Sequence, residues 1–395
     1  MISVEEALSK VFALVAPLET ETVPLAEAAG RVLAAPAAAR RDQPPFAASA
    51  MDGYAIRGLD AKPGDSFTVI GEAGAGHAFD GSVGPGQTAR IFTGAPLPEG
   101  ADRVVIQEDV TRDGDRIILG DKLDAGTNIR PAGGDFRAGD QLTAPRRLRP
   151  AELALLAAMN VPEVRVTRRP VVAIIATGDE LVMPGETPRA DQIIASNNFA
   201  LKAMAEAAGA EARMLPIARD TEAELRLVLD MAADADLIVT IGGASVGDHD
   251  LVGKVAGEMG LDRAFYKIAM RPGKPLMAGK LNGVPMLGLP GNPVSSIVCG
   301  HIFMLPALRA MLGLAAEPAP RARAVLAEDI AANGPREHYM RARLDSAGDG
   351  LPRIAPYARQ DSALLRLLTE ADALLLRPRQ DGPRKAGEIV EYLPL

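Results

Sequence analysis

The sequence contains a single cysteine, Cys299, and no tryptophan among its 395 residues. One cysteine excludes a disulfide framework and a cysteine-rich zinc or iron–sulfur site within one chain, and it fits a reducing compartment. The N-terminal segment MISVEEALSK lacks a basic flank and a long apolar core, so we predict no signal peptide. No apolar run approaches the length of a membrane span. We therefore expect a cytoplasmic protein.

An excess of basic charge is also lacking. The formal net charge of −8 argues against wholesale binding to DNA, RNA or an anionic membrane, so any bound anion requires a local basic cluster. The content of 48% hydrophobic and 24% charged residues is ordinary for a globular protein. The chain length predicts roughly two to four domains.

Changes of pattern along the chain predict a multidomain α/β plus β architecture. Residues 1–42 and 141–168 form a discontinuous helical domain, with helices from Val4, from Leu25 to Leu33 and from Pro150, the last packing with the first block. Residues 43–140 combine turn residues with short apolar runs and predict an inserted β domain. Residues 169–317 alternate strands and helices, which predicts a parallel sheet covered on both faces. Residues 318–395 predict a small β-barrel or sandwich.

Three predicted strands of the α/β domain end in unusual loops, TGDEL (177–181), IGGASVGDHD (241–250) and LPGNPVSS (289–296). Ligands of parallel sheets bind at the carboxyl ends of strands, and glycine lets free backbone amides cradle an anion. Pro293 suits a first helical turn, so we expect the amides of Val294 and Ser295 to point outward as a phosphate site. Any one loop alone is better explained as a tight strand-to-helix turn, whereas three such loops at one sheet edge favour a phosphate site.

Carboxylates follow the same strand ends. Asp179, Glu180, Asp248 and Asp250 offer hard oxygen ligands, which suit Mg²⁺ shared with a phosphate. The plain alternative is that these residues cap helices or tighten turns.

A basic segment, KIAMRPGKP, supplies Lys267, Arg271 and Lys274. Fixed cations beside a glycine cradle are what an oxyanion substrate requires. The alternative is a solvated loop.

The predicted β insertion holds the strings SAMDGYA (49–55), IFTGAPLP (91–98) and PAGGDFRAGD (131–140), which alone are ordinary turns. The whole set in order resembles the molybdopterin molybdenumtransferase (MoeA) family, related to the E domain of gephyrin. The strings that carry the resemblance are MDGYA, FTGAPLPEGADRVVIQED, NIRPAGGDFRAGD, ATGDEL, GGASVGDHD, KIAMRPGKP and LPGNPVS.

The resemblance implies a molybdopterin-binding α/β domain and insertion of molybdenum into adenylylated molybdopterin. Adenylylated molybdopterin and molybdate would give the molybdenum cofactor and AMP. Taken with the carboxylates above, this predicts Mg²⁺ as cofactor, held on the anhydride by Glu180 and Asp250. It also implies a homodimer with a composite active site, in which the α/β domain faces the β insertion of the partner subunit. Other cofactor-biosynthesis proteins are further expected partners.

The resemblance also assigns residues position by position. The implied catalytic residues are Asp52, Thr93, Asp135, Glu180 and Asp250. The implied substrate-binding residues are Gly242, Gly243, Ser245, Lys267, Arg271, Lys274, Pro290, Gly291, Asn292, Pro293, Arg341 and Ser362. Arg271 stands where many relatives have lysine, Ala244 replaces a common valine, and Gln360-Asp361-Ser362 departs from the commoner Gln-Gly-Ser.

Three alternatives stay open. An adenylyltransferase would make the activated pterin instead of using it, although the β insertion with MDGYA argues against this. A non-catalytic scaffold of the gephyrin type would not need the charged site residues. A generic nucleotide-binding α/β enzyme would carry GxGxxG after its first strand, and TGDEL does not supply it.

Overall fold

The computed structural model describes residues 1–243, 251–346 and 350–395. The chain forms two compact units. The larger unit comprises Met1–Glu21, Gly30–Ala34 and Val166–Leu395, and the smaller unit comprises Thr22–Ala29 and Ala35–Arg165. The four-domain division with the boundaries given above stays a prediction.

The first 167 residues contain short strands and two α-helices. The elements are α1 (Val4–Leu14), β1 (Thr20–Pro24), β2 (Val32–Leu33), β3 (Ala37–Ala38), β4 (Ala48–Ser49), β5 (Gly53–Ile56), β6 (Ser66–Ala73), β7 (Gln87–Ile91), β8 (Arg103–Ile106), β9 (Val110–Asp113), β10 (Arg116–Leu119), β11 (Ile129–Arg130), β12 (Gln141–Leu142), β13 (Arg146–Arg147), α2 (Pro150–Ala158) and β14 (Glu163–Thr167), with 3-10 turns at Leu25–Glu27 and Gln107–Asp109.

The smaller unit is built around a six-stranded sheet with strand order β8-β5-β7-β6-β10-β9. Tyr54 and Ile56 of strand β5 pack with Phe67, Val105 and Ile117 in one apolar cluster. All six strands lie between residues 53 and 119, so the inserted β domain predicted from the sequence is confirmed.

The predicted helix from Leu25 to Leu33 was wrong. A 3-10 turn ends at Glu27, and the chain then passes through Gly30, at φ +72°, into the strand Val32–Leu33. A helix cannot continue through that left-handed conformation. The helix α2 packs with this turn, as expected for the first block, whereas α1 belongs to the core of the larger unit.

The α/β part of the larger unit follows. Its elements are β15 (Val171–Ala176), β16 (Leu181–Val182), β17 (Ile193–Ile194), α3 (Asn197–Ala207), β18 (Glu211–Met214), α4 (Glu222–Met231), β19 (Leu237–Ile241), α5 (Leu251–Glu258), β20 (Leu261–Tyr266), β21 (Met270–Arg271), β22 (Met277–Leu281), β23 (Val284–Leu289), α6 (Pro293–Cys299), a π-helical segment at Gly300–Met304 and α7 (Leu305–Met311).

The central sheet has the strand order β18-β15-β19-β23-β22-β20. The four strands predicted from the sequence, β18, β15, β19 and β23, are parallel as expected, and β22 pairs antiparallel with both β23 and β20. Asn282 and Gly283 join β22 to β23 with φ of +49° and +90°. Two positive φ angles at Asn-Gly form the two-residue hairpin turn that reverses the chain.

Helices cover both faces of this sheet. Alternate side chains of β15 point to opposite faces, because successive residues of a strand do so. Val172 and Ile174 join the cluster that contains α1, α3, α6 and α7, whereas Ala173 and Ile175 join the cluster that contains α4 and α5. The helical face of α1 is therefore buried against the α/β sheet.

The continuous helix Pro293–Met311 is long and apolar enough to cross a membrane by length and composition. However, 78% of its most apolar window is buried inside the protein, as in the core helix of an α/β domain.

The C-terminal part is a closed five-stranded barrel. Its elements are β24 (Ala322–Leu326), β25 (Glu337–Asp345), β26 (Arg353–Pro356), α8 (Leu365–Thr369), β27 (Ala373–Arg377) and β28 (Ile389–Pro394). The order β25-β26-β24-β28-β27 closes because β27 also pairs with β25. The predicted barrel is confirmed. The short strand β21 pairs with β25 from outside, with Arg271 opposite His338.

Candidate functional site

A cavity of about 660 Å³ opens at the carboxyl ends of β15, β19 and β23. The structure brings parts of all three predicted loops to its wall. The predicted site residues that line it are Glu180, Gly242, Gly243, Pro290, Gly291, Asn292 and Pro293. Parallel strands end at one edge of the sheet, so loops that are far apart in sequence meet there.

Two glycines permit the close approach of these loops. Gly178 has φ +143°, and a Cβ there would collide with the carboxylate of Glu180. Gly242 has φ +91°, and a Cβ would lie 2.8 Å from the carbonyl oxygen of Thr177. Both positions therefore require glycine for conformation and for space.

The PGNP turn is held by side-chain contacts. Asn197 Nδ2 donates to the Gly291 carbonyl at 2.7 Å, and the Ser296 hydroxyl donates to the carbonyls of Pro290 and Asn292. These bonds fix the turn that carries Gly291 and Asn292 at the cavity wall.

We expected the amide of Val294 to point outward as part of a phosphate site, and this was wrong. The amide donates to the carbonyl of Ser362 at 3.1 Å. The chain segment at Ser362 covers this first helical turn, and its neighbour Ala363 lines the cavity. Local sequence could not reveal this, because the acceptor lies 68 residues further along the chain (362 − 294). A phosphate at the cavity would have to use other donors.

Several cavity residues were missed by the sequence reasoning. Asp220 lines the wall, as do Ile193 and Ile194 of β17 and Asn197 and Asn198 at the start of α3. The string SNN at the start of α3 was the available signal, since short polar residues are typical of helix N-termini. Asp220 lies in the connection that follows β18 and could have been grouped with the other carboxylates that follow strands.

Two predicted residues of the second loop, Ser245 and Asp250, lie outside the described residues, as does Asp248. Their assignments stay predictions.

The basic segment forms a turn that contributes Pro275 to the cavity wall. The amide of Lys267 donates to the Leu276 carbonyl at 3.0 Å, and the amide of Ile268 donates to the Lys274 carbonyl at 3.1 Å. The side chain of Lys267 lies over Tyr266, with Nζ 4.9 Å from the ring centroid. The structure does not place Lys267, Arg271 or Lys274 among the residues that line the main cavity.

Arg271 instead lines a second cavity of about 340 Å³, together with His338 and Arg377 of the barrel. Burial, and then the positive charge of Arg271, lowers the pKa of His338 to about 4. His338 is therefore neutral at neutral pH, and the charged side chains of this cavity wall are those of Arg271, Arg377, Glu328 and Asp329.

Arg341 does not line the main cavity either. Its side chain is buried, and its guanidinium donates to the carbonyls of Leu364 at 2.8 Å and of Asp361 at 2.9 Å. Arg341 therefore shapes the segment that contains Ser362, whose carbonyl in turn holds the amide of Val294.

The three predicted residues of the β insertion belong to the smaller unit. Asp52 Oδ1 accepts hydrogen bonds from the Thr93 amide at 2.8 Å and from the Thr93 hydroxyl at 2.7 Å. Ser49 exchanges two backbone hydrogen bonds with the segment at Ala95, and it pairs with Ile129 of β11. Asp135 is exposed in the turn that follows. The three strings that carry the family resemblance in this domain are thus joined by hydrogen bonds.

The bonds from Thr93 lower the pKa of Asp52. We expect Thr93→Val, which removes the hydroxyl donor, to raise the pKa of Asp52 towards its ordinary value. A carboxyl with a depressed pKa stabilises the fold above its unfolded pKa, and this contribution is lost as the pH falls through the lower, folded value. A carboxyl-carbon NMR titration of wild type and variant measures the shift. An unchanged pKa in Thr93→Val would contradict the assignment, with Thr88→Val, a buried hydroxyl bonded to Ala55, as the control.

The main cavity offers carboxylate oxygens to a divalent cation. Within the described ranges, the carboxylates at the wall are those of Glu180 and Asp220, and no group of three or more metal-ligating side chains is found. Mg²⁺ usually keeps several waters and uses one or two carboxylates together with substrate phosphates. The described residues fit such an ion if the substrate supplies further oxygens.

Three family models match the chain in sequence order. They are the MoeA N-terminal region (domain I and II) at residues 2–160, a probable molybdopterin binding domain at residues 173–310, and the MoeA C-terminal region (domain IV) at residues 323–395. A molybdopterin molybdenumtransferase from Nostoc sp. is 38% identical over 411 aligned positions, covering 100% of this chain and 94% of that protein. The chain belongs to the molybdopterin molybdenumtransferase (MoeA) family.

Other members of the MoeA family also match the chain over its full length. The molybdopterin molybdenumtransferase of Haemophilus influenzae is 33% identical, covering 100% of this chain and 98% of that protein. A crystal structure of the molybdopterin biosynthesis MoeA protein from Pyrococcus horikoshii aligns with a TM-score of 0.84 at 28% identity, covering 100% of both chains. The match to the probable molybdopterin binding domain contains 20 of the 21 residues that line the main cavity, from Ala176 to Pro293, and the remaining one, Ala363, lies in the match to the MoeA C-terminal region.

Proposed function

We propose that this chain catalyses the molybdenum insertion step of molybdenum cofactor biosynthesis. Adenylylated molybdopterin and molybdate are the substrates, and the molybdenum cofactor and AMP are the products. The observation that carries the proposal is that the probable molybdopterin binding domain of the family contains the main cavity. Full-length relatives named molybdopterin molybdenumtransferase support the same reaction.

The wall of the cavity suits an activated phosphate ester. Glycine loops at Gly178 and Gly242 bring backbone close to a bound ligand, and the carboxylates of Glu180 and Asp220 face the same space. The exposed apolar side chains of Ile193 and Ile194 offer a surface for the flat pterin ring. In this proposal the chain binds and orients the adenylyl phosphate, and fixed dipoles and charges supply most of the rate.

We further propose that the reaction depends on Mg²⁺. Glu180 would hold the ion together with Asp250, which lies outside the described residues, and with oxygens of the substrate. When bound, the ion would neutralise charge on the phosphates as they separate.

The assembly is proposed from the family resemblance. A homodimer would place Asp52, Thr93 and Asp135 of one subunit opposite the α/β cavity of the other, giving a composite site. These three side chains are partly or fully exposed, so a substrate bound in a composite site could reach them. A cytoplasmic location is proposed as well, because a reducing compartment preserves the dithiolene sulfurs that accept molybdenum.

One incubation series separates the proposed function from its rivals. We expect AMP release from adenylylated molybdopterin with molybdate and Mg²⁺, and no formation of adenylylated pterin from ATP and molybdopterin. The reverse pattern would identify an adenylyltransferase, and no turnover in either arm would favour a scaffold. Chromatographic detection of AMP and of the pterin products provides the measurement.

A further inference from the structure

Arg219 lies beneath the turn that follows β15. Its Nη1 atom is 2.8 Å from the carbonyl oxygen of Leu181, 3.2 Å from that of Asp179 and 3.4 Å from that of Gly178. Three carbonyl oxygens of one turn therefore converge on a single cationic nitrogen. Their dipoles repel one another when they point to the same place, and the positive charge offsets this repulsion.

The turn held by Arg219 carries Glu180. The carbonyl of Glu180 accepts the amide of Ile193 at 2.7 Å, which fixes its backbone from the other side. The carboxylate of Glu180 folds back over Gly178, into the space that a Cβ would occupy. The position of this carboxylate in the cavity therefore depends on the backbone of the turn.

The same arginine directly precedes Asp220, the second carboxylate of the cavity wall. The amide of Asp220 donates to Asp179 Oδ1 at 3.1 Å, and the amide of Gly178 donates to the carbonyl of Ala218 at 3.1 Å. Arg219 thus joins the segment that carries Glu180 to the segment that carries Asp220.

We propose that Arg219 is a positioning residue that sets the separation of the Glu180 and Asp220 carboxylates for a divalent cation shared with the substrate. This inference rests on the proposed function. Arg219 does not line the cavity, so it acts through the two carboxylates.

The hydrogen bonds of Arg219 indicate which two substitutions to compare, one by lysine and one by methionine. All three carbonyl contacts converge on Nη1 of Arg219. The ammonium of a lysine has three N–H groups on one nitrogen, so it can donate to the same three carbonyls. A methionine fills similar space but donates nothing. Arg213→Met is the matched control, because Arg213 lies on β18 and bonds Asp234, which does not line the cavity.

Three quantities are measured on the full chain: Mn²⁺ affinity by calorimetry, kcat and KM for AMP release, and hydrogen exchange of the amides in residues 177–182. For Arg219→Met we expect Mn²⁺ affinity and kcat to fall by roughly 10–100-fold, as for other residues that orient metal ligands, with a smaller change in KM. Amide exchange of the turn rises. Arg219→Lys recovers most of each loss, and Arg213→Met behaves as wild type.

Wild-type Mn²⁺ affinity and amide exchange in Arg219→Met would overturn the proposal, as would a wild-type chain that does not bind Mn²⁺. A lysine variant as impaired as the methionine variant would also count against it. If Arg219→Met does not fold, Arg219→Gln takes its place. A wrong proposed function gives a different result from a wrong role for Arg219. If the proposed function is wrong, the wild type releases no AMP, whereas Mn²⁺ binding and amide exchange still measure the effect of Arg219.

Discussion

Replacing Glu180 by glutamine is expected to reduce kcat for AMP release by about 100-fold or more, which is the usual scale for a carboxylate that acts on the reacting groups. The substitution keeps the shape of the side chain and removes its negative charge. Glu180 is exposed at the cavity wall, so the fold should be retained. The measurement is steady-state AMP release at saturating molybdate, with circular dichroism to verify folding.

Glu186→Gln is the matched control for this variant. Glu186 lies in the next connection along the chain, between β16 and β17, where its carboxylate accepts the amide of Met183 at 2.9 Å, and it does not line the cavity. Near-normal turnover of Glu180→Gln, or an equal loss in Glu186→Gln, would show that the charge of Glu180 is not required.

Arg341→Met is expected to lower the free energy of unfolding by about 3 kcal/mol, because it leaves buried carbonyl groups without their charged donor. The guanidinium bonds Leu364 and Asp361 and is almost fully buried in the barrel. Disturbance of this segment should also raise KM, since the neighbouring Ser362 carbonyl holds the amide of Val294. Urea unfolding and substrate titration measure the two effects.

Arg343→Met provides the comparison on the same strand. Arg343 is exposed and stacks on Tyr357 with its guanidinium carbon 5.1 Å from the ring centroid, so its loss should cost less than about 1 kcal/mol. The family resemblance assigned Arg341 to substrate binding. A variant of Arg341 with unchanged stability and weakened substrate affinity would favour that assignment over the role in positioning the segment.

Local sequence patterns predicted much of the larger unit. The apolar runs before TGDEL, IGGASVGDHD and LPGNPVSS predicted β15, β19 and β23, and the three loops do meet at one cavity. The antiparallel strand β22 and its outer neighbour β20 were missed, although Asn282-Gly283 carried the signal for the hairpin that joins β22 to β23. The helix α1 was predicted, but the surface on which it packs was not, because periodicity identifies a buried face without identifying its partner.

The sequence by itself determined the order of the elements, the glycines that allow close approach at the strand ends, and the family. These depend on residues close together in the chain or on strings in a fixed order. Tertiary structure alone decided that the Val294 amide is occupied by Ser362, that Arg341 is buried under its own segment, and that Arg219 joins the turn of Glu180 to Asp220. The reason is that hydrogen-bond partners far apart in sequence are chosen by packing, which no local pattern records.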